Sequence, residues 1–145
     1  MTMLGSAVKI GKKLAPNRIV NQPMEGNDAD EVGNATELTF ARYRRLAEGG
    51  AGIIFLEALT ISRESRARKN QLGIYEQTAG SLEKLIKEMR RINPDSLILL
   101  QITHSGRQSE ASFSRAVAVY AMAGSKAYVL SADEIEKIGN DFARA

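Results

Sequence analysis

Apolar positions along this chain switch between two spacings, and the switches mark out its elements. Val8-Lys9-Ile10-Gly11 and residues 14–18 read as two short strands around a glycine turn. Ile19-Val20-Asn21-Gln22-Pro23-Met24 reads as a third, more buried strand, whose end is set by Pro23 because proline cannot donate to a ladder. Residues 25–34, rich in Gly, Asn and Asp, predict a loop. Thr36 or Asn34 can cap a helix over 37–48, with Leu38, Tyr43, Leu46 and Ala47 as its apolar stripe and Gly49-Gly50 as its stop.

Ala51-Gly52-Ile53-Ile54-Phe55-Leu56-Glu57 is nearly all apolar, the mark of a strand buried on both faces. Residues 60–73, polar and basic, predict a long loop. A second helix runs from about Thr78 to Ile92, with Leu82, Leu85, Ile86 and Met89 on one side and Asn93-Pro94 at its end. Leu97-Ile98-Leu99-Leu100-Gln101-Ile102 predicts the next buried strand. Residues 108–129 are less regular. Ser131 and Glu134 form a capping box that opens a helix running to the last residue. Strands alternating with helices predict an α/β fold with parallel strands and right-handed crossovers. The last helix, residues 133–145, stops with no Gly, Asn or Pro at its end, so a chain cut inside or just after an element is expected.

Composition narrows the function classes. The 145 residues are 43% apolar and 26% charged, a balance that favours a globular core over disorder. There is no Cys, which excludes disulfides and thiolate chemistry, and one His cannot build a His-rich metal site. The net charge of +3 is small and the basic loop lacks interleaved aromatics, so nucleic acid is not an expected partner. No apolar run approaches the roughly 20 residues of a membrane span, and no signal-peptide pattern opens the chain, so no membrane partner is expected and a cytoplasmic location is.

Ligands of parallel α/β folds sit at the carboxyl ends of strands. Those ends carry Pro23-Met24-Glu25-Gly26, then Glu57-Ala58-Leu59-Thr60, then Gln101-Ile102-Thr103-His104-Ser105-Gly106-Arg107. Gln101 offers a donor and an acceptor, which suits the edge of a planar heterocycle. Arg107 offers a fork for an anion, or a salt bridge that pins a loop. His104 reads first as a hydrogen-bonded structural side chain, and Glu57 as the partner of a cation across the strand ends. The Arg63–Lys69 cluster reads as a solvated loop, with capture of a phosphate-bearing substrate as the alternative.

Asn17-Arg18-Ile19-Val20 leading to Pro23-Met24, then Ala51-Gly52-Ile53-Ile54, then Gln101-x-x-His104-x-Gly106-Arg107 resembles the Old Yellow Enzyme family of FMN oxidoreductases. Residues 130–135 before Phe142-Ala143-Arg144-Ala145 resemble that family's approach to its next helix, so the likeness covers nearly the whole chain. It implies a partial (β/α)₈ TIM barrel, with an N-terminal hairpin in 1–18 and the first three βα units in 19–145. It implies FMN at the carboxyl face, held by Pro23, Met24, Glu25, Ala58 and Gln101, with NADH or NADPH as reductant and a small-molecule substrate. No catalytic residue and no metal ligand is assigned. Glu25 stands where the family usually has Thr or Cys near the flavin carbonyl, and a carboxylate there disfavours a reduced, anionic flavin. The family's substrate-binding pair and phosphate loops lie later in the barrel, so no turnover is expected of 145 residues alone.

Two classes of function follow. One is the amino-terminal part of an NAD(P)H-dependent flavin oxidoreductase acting on activated alkenes. The other is an inactive barrel fragment that self-associates into a homo-oligomer through open strand edges and through Ile54, Leu56, Leu99 and Ile102, expected to face the barrel interior.

Overall fold

A computed structural model describes residues 3–145; of the segment expected to hold the N-terminal hairpin, residues 1 and 2 lie outside that range. The hairpin is antiparallel, with β1 (Val8–Ile10) paired to β2 (Lys13–Ala15), shorter than the expected second strand. A parallel sheet follows, ordered β3-β4-β5, from β3 (Val20–Asn21), β4 (Ile53–Thr60) and β5 (Leu97–Thr103). Helices α1 (Glu37–Glu48) and α2 (Glu76–Ile92) connect them. A short parallel pair, β6 (Val117–Ala118) with β7 (Tyr128–Val129), interrupts the irregular stretch, and α3 (Ala132–Arg144) comes last.

The core lies between β4 and the two helices. Ile54, Leu56 and Leu59 pack against Tyr43 and Ala47 of α1 and against Leu82, Leu85 and Met89 of α2. Ile54 and Leu56 are thus helix-facing, contrary to the expectation that they face a barrel interior. Ladder partners share a face, so Ile102, paired to Leu59, lies on the helix side as well, and of the four residues only Leu99 points the other way.

Helix boundaries follow local chemistry. In α1 the Thr36 side chain accepts from the Thr39 N–H while Thr39 returns a bond to the Thr36 N–H. Gly50, at φ 71°, takes the left-handed conformation that ends the helix. The buried stripe is Thr39, Tyr43 and Ala47, at four-residue spacing; Leu38, one step round, is 71% exposed and is no part of it. α2 begins at Glu76, two residues before the expected start; Thr78 is its third residue, and its hydroxyl accepts from the Tyr75 N–H at the N-cap (3.1 Å). The Ser131–Glu134 box opens α3 as expected.

Two strands depart from expectation. The buried strand over 19–24 reduces to Val20–Asn21, and Ile19, Val20 and Met24 are exposed. The Met24 N–H turns back to the Gln22 carbonyl (2.9 Å) around Pro23, which withdraws it from any ladder. β5, expected to be buried, exposes Leu99, Leu100 and Ile102 because only β4 flanks it in the sheet and only Ile98 reaches the core. Among the described residues no helix is long and apolar enough to cross a membrane.

Candidate functional site

The carboxyl ends of β3, β4 and β5 point the same way because the strands are parallel and adjacent. Each continues into a segment singled out above: Pro23-Met24-Glu25, Glu57-Ala58 and Gln101 to Arg107. Ala58 and Gln101 are ladder partners, so both side chains stand on one face, away from the helices. They meet only because the register slips between Leu56 and Ala58, leaving Glu57 without a partner. Gln101 is exposed, and its amide makes no hydrogen bond among the described residues. Met24 is 75% exposed at the end of the neighbouring β3 segment.

Glu57 is 1% exposed. Its Oε2 accepts from the Gly26 N–H (2.7 Å) and its Oε1 from Arg42 Nη2 (2.6 Å). Its own N–H donates to the Tyr43 hydroxyl (2.8 Å). Arg42 also forks onto Asp28, through Nε at 2.8 Å and Nη2 at 3.0 Å. Burial pushes the Glu57 carboxyl above its ordinary range, against the pull of the Arg42 charge and the Gly26 N–H. Burial also pushes at Asp28, but hydrogen bonds from Arg42 and Thr39 hold that carboxyl below its ordinary range. Burial and the Glu57 charge raise the Tyr43 phenol to about 12. The expected cation partner of Glu57 therefore exists, but it comes from α1 and not from across the strand ends.

The loop after β4 folds over the loop after β3. Arg68 Nε pairs with Glu25 (3.0 Å), Lys69 with Glu31 (2.9 Å), and Asn70 Nδ2 donates to the Ala29 carbonyl (2.6 Å). Arg66, expected in a solvated loop, is 3% exposed. Its guanidinium donates to the carbonyls of Arg63, Glu31 and Lys69 and lies over the Phe113 ring, so it staples loops together without a carboxylate partner. The basic cluster is dispersed among separate partners and forms no single patch. Gln71, also buried, donates to the Ala58 carbonyl (2.7 Å) and accepts from the Ala67 N–H (2.8 Å), fixing the peptide at the end of β4.

His104 Nδ1 accepts from the Gly106 N–H (2.9 Å), a local structural bond. Burial holds its pKa below the ordinary value, with Asp141 opposing, and the Nδ1 contact leaves the proton of the neutral ring on Nε2. Arg107 forms no ion pair among the described residues; its guanidinium lies against the Met122 sulfur. No group of three His, Asp or Glu side chains among the described residues stands close enough to hold a metal ion.

Asp28, Arg42 and Gln71 were absent from the sequence-based candidates. Arg42 had a readable signal. It falls three residues after Thr39 and four before Leu46, so a charge sits beside the buried stripe of α1. Asp28 and Gln71 lie in loops, where no periodicity marks them.

A family model described as NADH:flavin oxidoreductase / NADH oxidase matches residues 4–145. An NADPH dehydrogenase of Clostridium acetobutylicum is 36% identical over 108 residues, covering 74% of this chain and 31% of its own length. An NADPH dehydrogenase of Listeria monocytogenes is 30% identical over 155 aligned positions, covering all of this chain and 44% of its own length. The fold is similar to that of the Old Yellow Enzyme homologue from Zymomonas mobilis, with a TM-score of 0.80 at 25% identity over 99% of this chain and 44% of that one. It is also similar to morphinone reductase in complex with tetrahydroNAD, with a TM-score of 0.80 at 22% identity over 99% of this chain and 45% of that one. The chain spans less than half the length of each of these relatives.

Proposed function

Because the chain belongs to the NADH:flavin oxidoreductase / NADH oxidase family, we propose that it builds the first part of an FMN site in an enzyme that uses NADH or NADPH to reduce an activated alkene of enoyl or dienoyl type. In this reading residues 19–145 are the first three βα units of a (β/α)₈ barrel, residues 1–18 hold its N-terminal hairpin, and a small-molecule substrate enters at the carboxyl face. The observation that carries it is the pairing of Ala58 with Gln101 on one face at the strand ends, where the Gln101 amide has no protein partner among the described residues. A methyl group beside an unused donor and acceptor matches the edge of a flat heterocycle, and exposed Met24 adds apolar surface nearby.

FMN, when bound, supplies the acceptance of hydride from a reduced nicotinamide and its delivery to substrate. The chain's own groups do the holding. Pro23 and Met24 present backbone and thioether to the ring, Ala58 leaves room for it, and Gln101 donates to and accepts from its polar edge. Gln71 holds the Ala58 peptide in place. Glu25 brings a carboxylate to the same end, with its charge offset by Arg68. His104 and Arg107 support the loop after β5.

Titrating the 145-residue protein into FMN while following flavin fluorescence tests this reading. The expected result is saturable quenching at one site per chain, weakened in Gln101→Ala. Fluorescence that stays unquenched, or is quenched equally by Gln101→Ala, overturns it. No NADPH oxidation is expected from this chain alone.

A second reading, self-association into a homo-oligomer, is favoured by exposed Leu99, Leu100 and Ile102 on a strand with one unpaired edge. Light scattering is expected to report more than one chain per particle, and Ile102→Lys to shift it toward one. A sharp monomer peak for the unaltered chain removes this reading.

A further inference from the structure

Two of the strand ends proposed to meet the flavin are joined by one buried side chain. Glu57 occupies the bulge immediately before Ala58, and its two oxygens reach different elements: Oε2 the Gly26 N–H, Oε1 the Arg42 guanidinium of α1. Gly26 follows Met24-Glu25 directly, so the carboxylate ties the turn after β3 to the end of β4. A Cβ built on Gly26 would collide with the Arg42 guanidinium, so at this point the turn packs face to face against the ion pair. Arg42 is itself fixed by Asp28, whose carboxylate also accepts from the Thr39 hydroxyl (2.8 Å). The chain thus runs Thr39, Asp28, Arg42, Glu57 and Gly26, from the first turn of α1 to the segment after β3.

We propose that Glu57 is a positioning residue for flavin: it holds the Met24–Gly26 turn and the Ala58 peptide at a fixed separation before any ligand arrives. This rests on the FMN reading above. Glu57 touches neither ligand nor reacting atoms; it acts through Gly26 and Arg42. The physical gain is preorganisation, since a turn already locked loses little further freedom when a rigid ring docks against it. A carboxylate suits the task better than an amide, because it accepts from Gly26 and from Arg42 at once and bonds charged donors more strongly.

The test compares Glu57→Gln with Asp28→Asn, in the 145-residue protein, with two readouts. The first is FMN affinity and the band shape of bound FMN in the visible spectrum. The second, free of ligand, is hydrogen exchange at the Gly26 amide. Asp28→Asn weakens the same ion network without touching Gly26, so it controls for general loosening. In Glu57→Gln we expect faster Gly26 exchange, an altered band shape, and FMN binding weaker by about tenfold, the scale on which supporting partners of a bound group act. In Asp28→Asn we expect Gly26 protection and band shape close to those of the unaltered protein. If the unaltered protein binds FMN and Glu57→Gln matches it in affinity and spectrum, the positioning role is overturned while the FMN reading stands. If the unaltered protein binds no FMN, the FMN reading fails and takes the role with it. Should Glu57→Gln not fold, Glu57→Asp, which keeps the charge but draws the carboxylate back from Gly26, carries the same comparison with the same criteria.

Discussion

β4 and β5 lie side by side in one parallel sheet, and both are mostly apolar, rich in Ile and Leu. β4 is flanked by a strand on each side, backed by both helices, and buried along nearly its whole length. β5 has one neighbour, no helix packed along it beyond Ile98, and a mostly exposed pattern. An apolar run states what a strand needs, whereas the elements around it decide whether the need is met.

Measurements can sharpen or break this contrast. The largest expected effect is for Leu56→Ala, which empties a site in the closed core and should lower unfolding free energy by about 3 kcal/mol, against less than about 1 kcal/mol for Leu100→Ala. Urea midpoints compare them, and equal losses would show that β5 is covered in solution. Next is Glu57→Ala, which strands the Gly26 N–H and leaves Arg42 with Asp28 alone. A loss of about 2 kcal/mol is expected, while Gln101→Ala on β5 should stay within about 0.5 kcal/mol.

A pH series separates two hydrogen-bonded carboxylates, Glu57 and Asp30. The folded pKa of Glu57 lies above its ordinary value of 4.5, so its contribution is fully present below that pH and lost as pH rises through the folded value. Relative to Glu57→Gln, the unaltered chain should therefore lose stability as pH climbs above 4.5. Asp30 has the opposite sign. Burial pushes its pKa up, but bonds from Asn34, Val32 and Gly33 hold it below 3.8, so its contribution is lost as pH falls and Asp30→Ala should flatten the acid limb. The smallest effect belongs to Arg68→Ala, which removes an exposed ion pair and should change stability by no more than about 0.5 kcal/mol.

The legible parts of this chain are those fixed by near neighbours in sequence. The capping boxes at Thr36 and Ser131, the glycine stop after Glu48, the run that becomes β4, and the apolar side of α2 all show in patterns spanning a few neighbouring residues. What escaped depends on distance. The burial of Arg66 needs the carbonyl of Glu31, 35 residues away, and the Asp28–Arg42 fork joins residues 14 apart. At the strand ends, the pairing of Ala58 with Gln101 could be guessed only from resemblance, because no local rule announces the slipped register that brings them opposite one another.

That slip makes one codon of β4 unusually consequential. Up to Leu56 the strand keeps step with β5; beyond it every residue is displaced by one. Were the strand instead to stay in step through Glu57, that residue would pair with Gln101 and the peptides downstream would rotate by half a turn. Ala58 would swing toward the helices and Leu59 toward the open side. In a lineage of such chains, insertions should be tolerated in the 108–129 stretch and purged here, where one added residue reverses inside and outside.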